Sequence, residues 1–178
     1  MKTALKILGV IVLGIITIFS IIGFIAPHKV VVEESVIVNV PAEKVFAQIN
    51  LWSNFKLWSP WNELDPDMKV NYKGEDGTVG SVYKWEGNDE VGTGTMTKTL
   101  VQPNSRIEYD LHFMRPWKSE SKGYITIKPA GNAQKVTWGF VADVPFPQNV
   151  MMFFMKGYIA NDFKKGLNKL KEISEKES

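Results

Sequence analysis

The chain has 178 residues, with 21 Lys and Arg against 19 Asp and Glu, 2 His and no Cys. The missing thiols exclude disulfides, cysteine nucleophiles and thiolate zinc sites. Lys2 and Lys6 are the only charges ahead of His28, so the remainder carries 19 charges of each sign, a balance with no electrostatic footprint for nucleic acid.

The first element is apolar. The 20 residues from Ile7 to Ala26 carry no charge, and at about 1.5 Å of rise each they make a helix as long as a bilayer's hydrocarbon core is thick. A cleaved signal peptide would have a shorter apolar region, roughly 7 to 15 residues, and a small-x-small site, whereas Phe24 and Ile25 precede Ala26. Residues 1–28 are therefore expected to be a retained single-pass membrane anchor. Lys2 and Lys6 favour a cytoplasmic N-terminus, which puts the domain formed by 29–178 on the outer side. About 150 residues suffice for one such domain with its own core.

Val30 to Val40 is a β-branched run ending at Pro41, and it predicts a strand. Pro41-Ala42-Glu43 then opens a helix, and a second short helix is predicted from Leu51 to Lys56. Trp58-Ser59-Pro60-Trp61-Asn62 and Asp65-Pro66-Asp67 are too broken by proline for regular structure. Beyond them the hydrophobic period becomes two. Strands are expected over Met68 to Lys73, Ser81 to Glu86, Gly92 to Val101, Arg106 to Phe113, Gly123 to Lys128 and Lys135 to Ala142, with Tyr83 and Trp85, Tyr109 and Phe113, and Trp138 and Phe140 on the apolar faces. After Pro147, Met152, Met155, Ile159, Phe163, Leu167 and Leu170 recur at three- and four-residue steps, a stripe on one helix of about 25 residues. The last residues, Glu175 to Ser178, are expected to fray.

This α+β order resembles the polyketide cyclase/dehydrase branch of the START-like (SRPBCC) superfamily. The resemblance rests on Pro41-Ala42-Glu43-Lys44-Val45-Phe46, Trp58-Ser59-Pro60-Trp61, the segment from Gly80 to Asn88, Val136-Thr137-Trp138-Gly139 and the segment from Asp162 to Leu170. It implies a helix-grip fold, in which a curved antiparallel sheet of six to seven strands wraps a long C-terminal helix around a cavity for lipids, isoprenoids, polyketides or other apolar molecules. It implies no shared catalytic residues and no cofactor.

Trp58, Trp61, Tyr83, Trp85, Tyr109, Phe113, Trp138, Phe140, Met152 and Met155 are the candidate ligand wall, since amphipathic rings and adaptable thioethers line apolar pockets. The alternative is that the same aromatic residues simply fill the space between sheet and helix as core. Met151, Met152 and Met155 with Phe153 and Phe154 suit a pocket mouth, plain core or a membrane-touching face. Asp65, Asp67, Glu75, Asp76, Asp89 and Glu90 sit in turns and are expected to be solvated, without the spacing of a calcium loop. His112 alternates outward, away from any cavity. With no ionisable group placed inside by periodicity, no metal site and no catalytic constellation is assigned, and a binding or carrier module for a hydrophobic small molecule is favoured over a cyclase-type enzyme or a filled-core interaction module.

Overall fold

The computed structural model describes residues 2–176. Helix α1 (Lys2–Ile25) projects its apolar side chains outward and is long and apolar enough to cross a membrane. Strand β1 (Lys29–Val38) follows, then α2 (Ala42–Asn50), α3 (Trp52–Trp58) and a single turn, α4 (Trp61–Leu64). Six strands come next: β2 (Lys69–Lys73), β3 (Val82–Glu86), β4 (Thr93–Gln102), β5 (Arg106–Arg115), β6 (Ser119–Ala130) and β7 (Ala133–Asp143). Helix α5 (Gln148–Lys176) closes the chain.

All seven strands form one antiparallel sheet in the order β1-β7-β6-β5-β4-β3-β2. Register shifts between Thr93 and Gly94 and between Lys98 and Leu100 break the β4–β5 ladder; such irregularities bend a strand. Helix α5 lies along β1 and against α2 and α3, so helices and concave sheet face each other across one core. The fold is the helix-grip expected from the sequence.

The predicted alternation holds along each long strand: Ile107 and Tyr109 on β5, and Val136, Trp138 and Phe140 on β7, are buried on the inner face. Two local expectations are corrected. The segment after Pro60 is helical, because Pro60 holds φ −67° and ψ −24°, already a helical conformation, and Asp65 N–H closes the turn on Trp61 O. Nor does the end of α5 fray at Glu175, whose carboxylate accepts hydrogen bonds from the backbone N–H and side-chain Nδ2 of Asn39 at 2.8 and 3.0 Å. Glu177 and Ser178 lie outside the described residues.

Candidate functional site

The inner face of the sheet is built in rows, because residues opposite each other in a ladder point the same way. One row runs Lys98, Tyr109, Gly123, Phe140, Val32, and the next runs Tyr72, Tyr83, Met96, Leu111, Ser121. The row nearest the β5–β6 turn is Val70, Trp85, Gly94, Phe113, Ser119.

Glycine on these rows lets rings lie flat on the sheet. A Cβ at Gly123 would sit 2.2 Å from the Tyr109 ring, and one at Gly94 would sit 2.4 Å from the Trp85 ring. Around them the candidate rings pack on one another. Trp138 is fully buried, stacks on Phe163 at 4.2 Å and 3° between planes, and meets Trp58 edge-on at 5.1 Å. Trp61, half-buried, stands 5.6 Å from Trp138, and Phe113 stands 5.5 Å from Trp85.

The polar edges of these rings are mostly engaged. Trp138 Nε1 donates to Tyr109 Oη at 2.9 Å, Trp58 Nε1 to Gln48 O at 3.2 Å and Trp85 Nε1 to Val91 O at 3.3 Å. Burial pushes the Tyr109 phenol up to about 12 against the opposing Trp138 hydrogen bond, and it raises Tyr83 as well, with Tyr72 adding to it. Trp58, Tyr83, Tyr109 and Trp138 are thus part of the packed core. Phe140 is buried in the same core.

Covering is less complete toward the start of α5. No residue from Met151 to Asp162 is buried, whereas Phe163, Gly166, Leu167, Leu170 and Ser174 are. Leu111, Phe113, Trp61, Met152 and Ile159 pack against the core yet stay half-buried. Met155 differs from its expected place: it is exposed, alongside Phe153, Phe154 and Tyr158, because α5 is buried at Asn149 and Val150 and again from Phe163 onward but not between them. A recess of about 50 Å³ between β1 and α5, lined by Pro27, Val30, Asn149, Met152 and Lys156 among others, is far smaller than the several hundred Å³ of a ligand pocket.

Two polar atoms on the Tyr83-Met96-Leu111-Ser121 row, Tyr83 Oη and Ser121 Oγ, are buried and make no hydrogen bond among the described residues. Such atoms are uncommon because each forfeits its hydration.

Besides the tyrosines, a basic side chain lies inside, contrary to the sequence expectation. Lys98 is 1% exposed. Its Nζ donates to Asn50 O, the last carbonyl region of α2, and lies 4.5 Å from the Trp52 ring centroid. Burial lowers its pKa to about 8 despite the opposing charge of Asp76. The signal was its position two residues after Met96 on the inner face. Asp76 in turn accepts the Trp52 and Ser53 N–H groups at 2.7 and 3.0 Å, capping α3. Burial alone would raise the Asp76 carboxyl, but these amides, the Ser53 hydroxyl and Lys98 hold it below the usual range. Asp65 likewise accepts from Asn88 N–H at 2.6 Å and Asp67 N–H at 3.2 Å, so these two loop carboxylates fasten turns and are not simply solvated. His112 faces outward, 3.5 Å from Glu120.

Comparison with known proteins agrees with this architecture. Among curated proteins none matches the chain. The di-domain ARO/CYC StfQ from the steffimycin biosynthetic pathway superposes with a TM-score of 0.63 at 11% identity, over 84% of this chain and 51% of that one. A protein from Nitrosospira multiformis gives 0.60 at 20% identity over 80% and 94% of the two chains, and the Aha1 protein from Colwellia psychrerythraea gives 0.57 at 16% over 80% and 94%. These likenesses concern the fold. Residues 29–175 match the family model described as polyketide cyclase / dehydrase and lipid transport, and the chain belongs to that family.

Proposed function

We propose that the chain is a membrane-tethered binding or carrier module that accommodates a hydrophobic small molecule, a lipid, isoprenoid or polyketide-like compound, at the partly open end of the grip. The observation that carries this is the inner-face row on which unpaired Tyr83 Oη and Ser121 Oγ flank Met96 and Leu111, with Tyr83 and Met96 buried in the core and Leu111 and Ser121 half-buried beside them. An apolar surface with a few unsatisfied polar atoms is the chemistry of a site that grips a hydrocarbon body and orients one polar end. The family description, which includes lipid transport, supports the same ligand class. Entry of the ligand requires the first half of α5, unburied from Met151 to Asp162, to move off the sheet.

Residues 1–28 serve as the anchor, with Lys2 and Lys6 on the cytoplasmic side and the 29–178 domain outside. An enzyme would need a reactive ionisable group facing the ligand; Lys98 is inside but is committed to the end of α2. The ring packing of Trp58, Trp138 and Phe163 favours a second reading, a filled-core interaction module.

Native mass spectrometry of the full chain, purified from its membrane in mild detergent, separates the two. A carrier retains a discrete apolar adduct that Leu111→Trp or Ser121→Val diminishes. An adduct-free mass in wild type, together with no uptake from added fatty acids, sterols or quinones, would leave the interaction module.

A further inference from the structure

The exposed aromatic residues outside α1 are Tyr72, Trp117, Phe146, Phe153, Phe154 and Tyr158. All but Tyr72 lie in the β5–β6 turn, just ahead of α5 or in its first three turns. Strand register places these segments together. β1 begins where β7 ends, at Lys29 opposite Asp143, and β6 begins at that same end, since Lys122 faces Val141. The β5–β6 turn with Trp117 and the start of α5 therefore share the end of the sheet that α1 enters.

Helix α1 is fastened to this end. Asn149, itself fully buried, donates from Nδ2 to the carbonyls of Gly23 at 2.8 Å and Ala26 at 3.2 Å. Phe146 stands edge-on to Phe19 at 6.1 Å, and its ring lies so close to Gly23 that a Cβ there would be 2.4 Å away. Phe19 and Gly23 are inside the uncharged run of α1. The beginning of α5 is thus held level with the apolar span, and Phe153 and Phe154 follow four and five residues after Asn149, about 6 to 7.5 Å of rise. That distance is comparable to the ~5 to 10 Å by which interfacial helices bury their apolar faces. Lys29, Lys118 and Lys156 are at this end with Asp143 and Glu120, and the β3–β4 turn brings Asp89 and Glu90 to it as well, so the exposed rings and not net charge mark this face.

We propose that this end of the domain docks on the lipid surface of the bilayer that α1 spans, with Phe153, Phe154 and Trp117 entering the interfacial layer, so that the partly open end of the grip faces lipid. The inference rests on the tethered reading above and adds the orientation and the lipid-contacting residues. Trp and other aromatic rings partition to this layer in general.

The chain has no Cys, so single cysteines report position cleanly. The full chain would be reconstituted in phosphatidylcholine/phosphatidylglycerol vesicles with an environment-sensitive fluorophore at Phe154→Cys or Trp117→Cys, and at Val12→Cys and Lys165→Cys as references. Docking predicts blue-shifted emission at 154 and 117 that a headgroup-proximal nitroxide lipid quenches, with neither effect at 165. Water-like emission at 154 and 117 with quenching at 12 by a deep nitroxide would overturn the docking and leave the tether. Blue-shifted emission at 154 that no nitroxide lipid quenches would mean that protein, such as a second copy, covers the face, and would also overturn it. Absence of lipid quenching at 12 would remove the tether and the docking with it.

Discussion

Gly123 and Gly157 test opposite uses of the same residue. At Gly123 any Cβ would enter the Tyr109 ring, so Gly123→Ala should cost roughly 1 to 3 kcal/mol by overpacking and should disturb the Tyr109–Trp138 hydrogen bond. Gly157 has nothing within 4 Å of its would-be Cβ, and Gly157→Ala in the middle of α5 should stabilise by about 0.5 to 1 kcal/mol. Thermal melts of the two variants read the contrast. Lys98 carries a pH signature. Its pKa falls from 10.5 to about 8 on folding, so the unfolded chain binds more protons between those values and stability should rise with pH from about 8 toward 10. Above about 10 the raised Tyr83 and Tyr109 reverse the trend, since the unfolded phenols ionise first. Lys98→Met should flatten the rise between pH 8 and 9.5 in denaturant titrations. A rise of the same size in the variant would assign it to other groups.

At the scale of elements, α5 is seated at Asn149 and Val150 and from Phe163 onward, and unseated between them. Phe163, 3% exposed and stacked on Trp138, should cost ~3 to 5 kcal/mol when replaced by Ala, while the exposed Lys165 should tolerate Ala with little effect. Hydrogen exchange should show slow amides from Phe163 to Ile173 and faster ones from Met151 to Tyr158. Much of this was legible in the sequence: period two set the inward faces of Tyr83, Tyr109 and Trp138, and the three- and four-residue steps set the stripe of α5. Depth was not, because periodicity names a face and says nothing of what lies above it. Met155 fits the stripe by spacing yet lies where the helix is unseated. The flat-lying rings depend on glycines one strand away, Gly123 opposite Tyr109 and Gly94 opposite Trp85, a relation no single strand displays. Lys98 escaped notice, and Asp76 was expected to be solvated, for a similar reason: Lys98 from β4 and Asp76 from the β2–β3 turn cap the ends of α2 and α3, far from them in sequence.

On the scale of the molecule, an apolar helix, a helix-grip domain fastened to its end and a partly covered inner face at that same end form one arrangement. The arrangement makes the Tyr83-to-Ser121 row a place where lipid-derived material could be held. Tyr83→Phe removes only an unpaired hydroxyl, so it should leave folding nearly unchanged or slightly improved while weakening ligand retention. The most direct measurement is photocrosslinking of the full chain in membranes with a diazirine-bearing apolar lipid, followed by mapping of the modified peptides. Ligand held inside the grip predicts adducts on Leu111, Phe113 or Met152, reduced by Tyr83→Phe and Ser121→Val. Adducts confined to α1 and to the exposed surface of Phe153 and Phe154 would contradict it.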